Sequence, residues 1–240
     1  FEVAASGTQA VVSRLNTDTF AITTDRVERL QINGLAGDDS VTIINALTSS
    51  DVAQIAFFGG EGNDVFDGRE AEILMDVNGG SGDDLLLGGS ANDILMGEDG
   101  DDIVVGGPGI DNAFLGSGDD RFIWNNGDGS DTIDGSTGFD VTQVNGADGA
   151  GDEFQLGAED GQAIFQRLNL GLFTLTNIDV EQFEINGQDG DDSLFVPDLR
   201  TTSVSSVIFS GGDGDDFLNG AGTSVPITAD GGDGNDILLG

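Results

Sequence analysis

Five copies of one nine-residue phrase run without a break from Gly79 to Ile123: GGSGDDLLL, GGSANDILM, GEDGDDIVV, GGPGIDNAF and LGSGDDRFI. GGEGNDVFD at Gly59, GGDGDDFLN at Gly211 and GGDGNDILL at Gly231 obey the same grammar, GGxGxDxUx, with U a large apolar residue. Glycine at the first, second and fourth places permits a tight turn whose carbonyls stand exposed on one side. The last three places make a short strand whose middle residue, Leu86, Leu95, Val104 or Phe122, points inward. Such a chain turns, runs a few residues, turns again and returns above its start. Two repeats close one coil, and repeats two apart stack.

Stacking sets Asp84 under Asp102 and Asp120 on one edge, and Asp93 under Asp111 on the other. Two like charges about 4 Å apart near a protein surface repel by roughly 4 kcal/mol at an effective dielectric of about 20. A hard cation between successive turns converts that repulsion into attraction, and Ca²⁺ takes several carboxylate and carbonyl oxygens in a tolerant geometry. Extended along the chain, the register predicts one edge of Asp39, Asp64, Asp84, Asp102, Asp120 and Asp140, resumed by Asp192, Asp216 and Asp236. Asp93, Asp111 and Asp131 form a second edge in the middle only. Carbonyl ligands are expected near Gly59, Gly60, Gly62, Gly79, Gly80, Gly82, Gly88, Gly89, Gly97 and Gly100. The same holds near Gly106, Gly107, Gly109, Gly211, Gly212, Gly214, Gly231, Gly232 and Gly234.

Irregularities mark particular turns. Ala91 replaces the fourth glycine of its repeat and Leu115 the first of its own, Ala113 is small at the inward place, and Trp124 and Asn125 are inserted ahead of NGDGSDTID. The fifth-place Asp83, Asp101 and Asp119 are expected to face solvent, while Phe57, Phe66, Phe122 and Trp124, the single tryptophan, are expected in the core.

Charge narrows the partners. Asp and Glu number 45 against 7 basic residues, all arginine, for a net −38, which disfavours nucleic acid and anionic membrane. No apolar run is long enough to span a bilayer, and Cys is absent. The bland reading of 40 glycines and so much acid is low-complexity disorder. Apolar residues in strict period argue instead for a chain that is folded with Ca²⁺ and disordered without it. Absence of His removes zinc-protease motifs and Ser-His or Cys-His pairs, and no GxSxG elbow occurs. The paired carboxylates that would suit a glycoside hydrolase are explained by cation sites, so the chain is read as no enzyme.

A longer period overlies the short one. FEVAASGTQAVVSRLNTDTFAITTDRVERLQINGLAGDDS from Phe1 matches FQLGAEDGQAIFQRLNLGLFTLTNIDVEQFEINGQDGDDS from Phe154, and the match continues to GGDGNDILLG at Gly231. The first unit is therefore 1–153, with long coils over 1–58, a nonapeptide roll over 59–143 and a connecting coil over 144–153; residues 154–240 are a partial second unit in the same rod. Coils stacked about 4.8 Å apart give a rod on the order of 50 to 60 Å long. Opening in mid-strand with FEVAASG and closing in mid-repeat, the chain reads as a processed product or an excised piece.

Eight good nonapeptides, with WNNGDGSDTIDGSTGFD from Trp124 and the VE-x-x-x-IN segments, resemble the RTX, or haemolysin-type, calcium-binding repeat proteins of bacteria. The resemblance implies an all-β fold, a right-handed parallel β-roll or β-helix solenoid with Ca²⁺ bound in the inter-strand turns. It also implies type I secretion of an unfolded chain, with folding by Ca²⁺ outside the cell. The C-terminal export signal usual in that family is not visible in these residues. Three functions fit: a calcium-stiffened segment of a long extracellular protein such as an adhesin, surface layer or filament; an accessory folding and secretion module of an enzyme or toxin; and a carbohydrate-binding module. Open solenoid ends invite end-to-end pairing with other copies, and a glycan or cell-surface partner is compatible with the rod.

Overall fold

A computed structural model describes residues 28–43 and 52–240 in full and 2–6 and 9–13 by their backbone. Among the described residues there is no helix. The described residues form two facing sheets, one of 14 and one of 9 strands, wound as a solenoid of about nine coils. The first coils run β3 (Arg29–Ala36), β4 (Ser40–Thr42), β5 (Gln54–Glu61), β6 (Val65–Asp67), β7 (Leu74–Ser81) and β8 (Leu85–Leu87), preceded by β1 (Glu2–Ser6) and β2 (Gln9–Ser13). The nonapeptides continue as β9 (Ile94–Asp99), β10 (Ile103–Val105), β11 (Asn112–Ser117), β12 (Arg121–Asn125), β13 (Thr132–Thr137) and β14 (Val141–Asn145). From β3 to β14 odd-numbered strands lie in the first sheet and even-numbered strands in the second, each paired in parallel with its counterpart one coil away.

Within a repeat the first, sixth and eighth places face inward, as Gly59, Asp64 and Phe66 do. The eighth place stacks Phe66, Leu86, Val104 and Phe122 behind the second sheet and Leu95, Ala113 and Ile133, aligned with Val77 of β7, behind the first, all essentially inaccessible. Phe57 belongs to this core. Between adjacent coils the backbones come so close that a Cβ on Gly80 would strike the Gly60 carbonyl and one on Gly82 the Gly62 carbonyl. Both glycines also have φ near +120°, at +115° and +120°, where a side chain is strained. The turn keeps that conformation when another residue holds the second place, as at Leu35, Glu98, Ser136 and Gln188, all with positive φ.

β1 and β2 pair antiparallel at the start of the first sheet, and among the described residues from β3 onward the regular coil is interrupted at one place. β15 (Glu153–Glu159), β16 (Gln162–Arg167) and β17 (Phe173–Ile178) form an antiparallel meander in the first sheet, which orders them β13-β17-β16-β15-β19 with β19 spanning Ser193–Phe195. The first sheet is therefore not parallel throughout. The chain then crosses to the second sheet at β18 (Gln182–Asp189) and continues with β19, β20 (Ser206–Asp213), β21 (Phe217–Asn219), β22 (Ile227–Asp233) and β23 (Ile237–Leu239). Because the unit contains an odd number of crossings, the equivalent strands β3 and β18 lie in opposite sheets. Long strands fill the first sheet before the meander and the second sheet after it.

Trp124 packs where the meander begins, fully buried, stacked on Phe173 at 3.7 Å between ring centroids and donating from Nε1 to the Gly129 carbonyl at 2.8 Å. The parts of the first unit at 14–27 and 44–51 lie outside the described residues, including the counterpart of β17.

Candidate metal centre

The sixth-place aspartates form hydrogen-bonded ladders. At turns leading from the first sheet to the second, the N–H of Asp39 donates to Asp64 Oδ1 (2.7 Å), that of Asp64 to Asp84 (2.6 Å) and that of Asp84 to Asp102 (2.7 Å). Asp102 continues to Asp120 (2.7 Å) and Asp120 to Asp140 (3.0 Å). At the opposite turns, Met75 donates to Asp93 (2.8 Å), Asp93 to Asp111 (2.7 Å) and Asp111 to Asp131 (2.9 Å). The insertion of Trp124 and Asn125 thus leaves Asp131 and Asp140 in phase. Beyond the meander Asp152 donates to Asp192 (2.6 Å), Asp192 to Asp216 (2.8 Å) and Asp216 to Asp236 (3.0 Å).

The last group corrects an expectation. Asp192, Asp216 and Asp236 do not resume the edge of Asp39 to Asp140. They follow strands of the second sheet and precede strands of the first, as Asp93, Asp111 and Asp131 do. The meander reverses the parity of the coil, so the edge that carries aspartate changes with it.

Two acidic residues of this system escaped the sequence reading. Glu181, in the VE-x-x-x-IN segment, accepts the Asp140 N–H at 2.9 Å and so ends the first ladder. Asp152 was hidden by one extra residue in GADGAGD, which puts it in the seventh rather than the sixth place with Gly146 as the first.

One oxygen of each rung is committed to the neighbouring coil, and the other is the notable one. Oδ2 of Asp64, Asp84, Asp102, Asp111, Asp120, Asp131, Asp140, Asp192 and Asp216 is buried without a hydrogen-bond partner. A buried carboxylate oxygen left so costs on the order of 1–3 kcal/mol or more. Asp93, in the repeat with Ala91, differs: its Oδ2 accepts the Gly89 N–H at 2.8 Å. Asp236, on the last coil, is only half-buried.

Where a glycine holds the first place of the repeat, the aspartate packs so closely against it that an added Cβ would strike the carboxylate; Leu115 and Asn126 hold that place before Asp120 and Asp131. A methyl on Gly59 would meet both Asp64 Oδ2 and the Gly79 carbonyl, one on Gly97 would meet Asp102 Oδ2 and the Leu115 carbonyl, and one on Gly211 would meet Asp216 Oδ2 and the Gly231 carbonyl. The same pairing recurs at Gly187, with Asp192 and the Gly211 carbonyl, and methyls on Gly79, Gly106 and Gly231 would strike Asp84, Asp111 and Asp236. At Gly88 the Gly106 carbonyl closes the space. Second- and fourth-place carbonyls turn toward the next coil: Gly60 and Gly62 toward Gly80 and Gly82, Gly89 toward Gly107, Gly82 toward Gly100, Gly100 toward Gly118, and Gly212 and Gly214 toward Gly232 and Gly234. The carbonyl of Ala91, standing for the fourth glycine, faces Gly109. Among the described residues no three acidic side chains gather on one point; the donors are carboxylate oxygens of successive coils and main-chain carbonyls. Oxygen-only donors around buried, unsatisfied anions fit a hard cation such as Ca²⁺.

Fifth-place side chains form an outer, exposed ladder. Asp38 accepts from Asn63 (3.0 Å), Asn63 from Asp83 (3.0 Å), Asp83 from Asp101 (3.0 Å) and Asp101 from Asp119 (2.8 Å). They cap the next coil's N–H groups and leave the inner carboxylates to the turn's interior.

Burial dominates the inner carboxyls. It pushes Asp84, Asp93, Asp120 and Asp192 up to about 6, Asp102, Asp131 and Asp140 to about 7 and Asp111 to about 8, and raises Asp64 and Asp216. Neighbouring aspartates reinforce the shift, and the ladder hydrogen bonds oppose it. Folded values above the unfolded value of about 3.9 mean that the metal-free coil binds more protons than the unfolded chain. The contribution of these carboxyls to its stability is fullest below about pH 4 and is lost as pH rises through about 6 to 8. Far-UV circular dichroism in chelator should therefore show β-structure increasing as pH falls from 8 to 5. A loss of signal over that range would contradict this.

The RTX calcium-binding nonapeptide repeat matches the chain in four copies, over residues 57–70, 78–113, 97–123 and 207–222. This chain carries RTX calcium-binding repeats. The RTX repeat is a calcium-binding structural unit, and its matches fall on the stretches that hold Asp64, Asp84 to Asp120 and Asp216. No curated protein matches the chain.

Proposed function

We propose that this chain is a calcium-folded rod segment of a larger repetitive extracellular protein, secreted or displayed at a bacterial surface, and that the aspartate ladders hold its ions. The orphaned, buried Oδ2 atoms among the described residues carry this reading. They stand in register along the stack and face main-chain carbonyls, an arrangement that lacks only positive charge. Asp64, Asp84, Asp102, Asp120 and Asp140 would hold ions on one edge; Asp111 and Asp131, then Asp192 and Asp216, would do so on the other. The long period supports a structural role, since a unit of about 150 residues that begins again suits an extended rod. Export of the unfolded chain by type I secretion fits a protein whose repeats fold on meeting millimolar Ca²⁺. Open strand edges of a solenoid favour end-to-end pairing with other copies.

Sedimentation velocity in millimolar Ca²⁺ and in chelator tests the reading. A slow, expanded chain that becomes fast with Ca²⁺ and grows with concentration is the expected result. A compact monomer in Ca²⁺ would shift the role to that of an accessory module, and no response to chelator would overturn the calcium-folded rod.

A further inference from the structure

One rung of the ladders is closed with a cation of the protein's own. Asp152 is 1% exposed and in ladder phase, yet both its carboxylate oxygens are taken. Oδ2 accepts the Ala147 N–H at 2.7 Å, and Oδ1 accepts from Arg167 Nη1 at 3.1 Å in an ion pair that is 5% and 0% exposed. Arg167 also donates from Nη1 to Asn126 Oδ1 (2.9 Å) and from Nε to the Gly171 carbonyl (3.0 Å). Its guanidinium lies 5.3 Å from the ring centroids of both Trp124 and Phe173. One fixed positive charge thus ties together the insertion before β13, the turn before β15 and the loop after β16. At Asp64, Asp84, Asp102, Asp111, Asp120, Asp131, Asp140, Asp192 and Asp216 the Oδ2 has no such partner.

Packing around Arg167 also differs from that of the repeats. Phe165 lies 5.3 Å from Phe154, 6.0 Å from Phe173 and 6.1 Å from Phe183, and Trp124 stacks on Phe173. The three-residue strands of the nonapeptides bury one large side chain each. β15, β16 and β17 pair as consecutive antiparallel neighbours, so their contacts are local and close short loops. Asn169 fastens the same block, donating to the Gly151 carbonyl (2.8 Å) and accepting from the Glu153 N–H (2.9 Å). In a chain with seven basic residues, the Arg167-Leu168-Asn169 triplet recurs as Arg14-Leu15-Asn16 in the first copy, outside the described residues.

We infer that the meander, with Trp124 and β18, folds without calcium and is the template on which the calcium-dependent coils stack in both directions. Only the second half of this statement rests on the calcium reading of the ladders. The guanidinium neutralises Asp152 where other coils need an ion, and the aromatic cluster buries larger side chains than the one inward residue of each nonapeptide strand.

Hydrogen exchange of the full chain, read by mass spectrometry at pH 8 in chelator, tests it, with emission of the single tryptophan as a second readout. Amides of residues 163–167 and 173–177 should exchange at least about tenfold more slowly than those of 85–87 and 103–105, and Trp124 should emit as a buried indole. Added Ca²⁺ should then protect the repeats. Arg167→Gln should abolish the protection and the buried emission in chelator. Uniformly fast exchange and an exposed indole in the unsubstituted chain would overturn this inference alone. Uniform protection in chelator would overturn it together with the calcium reading of the ladders. Unchanged protection in Arg167→Gln would overturn the role given to the guanidinium.

Discussion

Asp102→Asn will act in opposite directions with and without Ca²⁺. An asparagine keeps an Oδ1 that accepts the Asp84 N–H, now at 2.7 Å, and leaves the Asp102 N–H free to donate to Asp120. What it loses is the charge. In the metal-free coil that charge is a burden, since burial and the carboxylates of Asp120 and Asp84 push Asp102 up to about 7. At pH 8 in chelator the variant should therefore be at least as well ordered as the unsubstituted chain. In Ca²⁺ the same change removes a ligand charge from a rung near the middle of the longer ladder. The Ca²⁺ midpoint of folding should rise about tenfold, equivalent to about 1.4 kcal/mol. Asp101→Asn, on the exposed outer ladder beside it, should move the midpoint little, because exposed charge is screened. Equal destabilisation of Asp102→Asn in both conditions would make the residue a hydrogen-bonding strut and nothing more.

The second large effect comes from adding a single methyl. Gly97→Ala would place it between Asp102 Oδ2 and the Leu115 carbonyl. Gly97 has no positive φ, so the change acts through space and not through backbone strain. Overpacking costs about 1–3 kcal/mol by itself, and the loss of the ion's place adds to it. Calcium-induced folding of the coils around 97–123 should fail or need Ca²⁺ well above that of the unsubstituted chain, as followed by circular dichroism. Gly222→Ala supplies the control, since the nearest atom its methyl meets is Pro197 Cα at 3.9 Å. If both variants fold alike, the space beside Gly97 holds nothing.

The phase of the nonapeptide carried most of this architecture. Glycine at places one, two and four and a single inward apolar residue admit a parallel coil and little else, and the sixth-place aspartates came out stacked with 18 to 25 residues between rungs in the unbroken ladders. The edge of Asp192, Asp216 and Asp236 did not follow, because FQLGAEDGQAIFQRLN alternates apolar and polar residues in the same way whether its strands run parallel or fold back. A signal was present: Asp160 and Gly161 join β15 to β16 with φ of +50° and +87°, the two-residue Asp-Gly connection that favours a hairpin. The role of Arg167 was less accessible. Its partners Asn126 and Asp152 lie 41 and 15 residues away, and no local pattern links them.

The most direct test of the central claim is to count Ca²⁺ bound per chain by equilibrium dialysis while following β-structure by circular dichroism on the same samples. Extracellular calcium modules bind at about 10⁻⁴ to 10⁻³ M, and coupled rungs should fill together in that range. The predicted result is several ions per chain, taken up cooperatively and in step with the gain of β-structure. Full β-structure in chelator, or folding with fewer than one ion bound per chain, would contradict it.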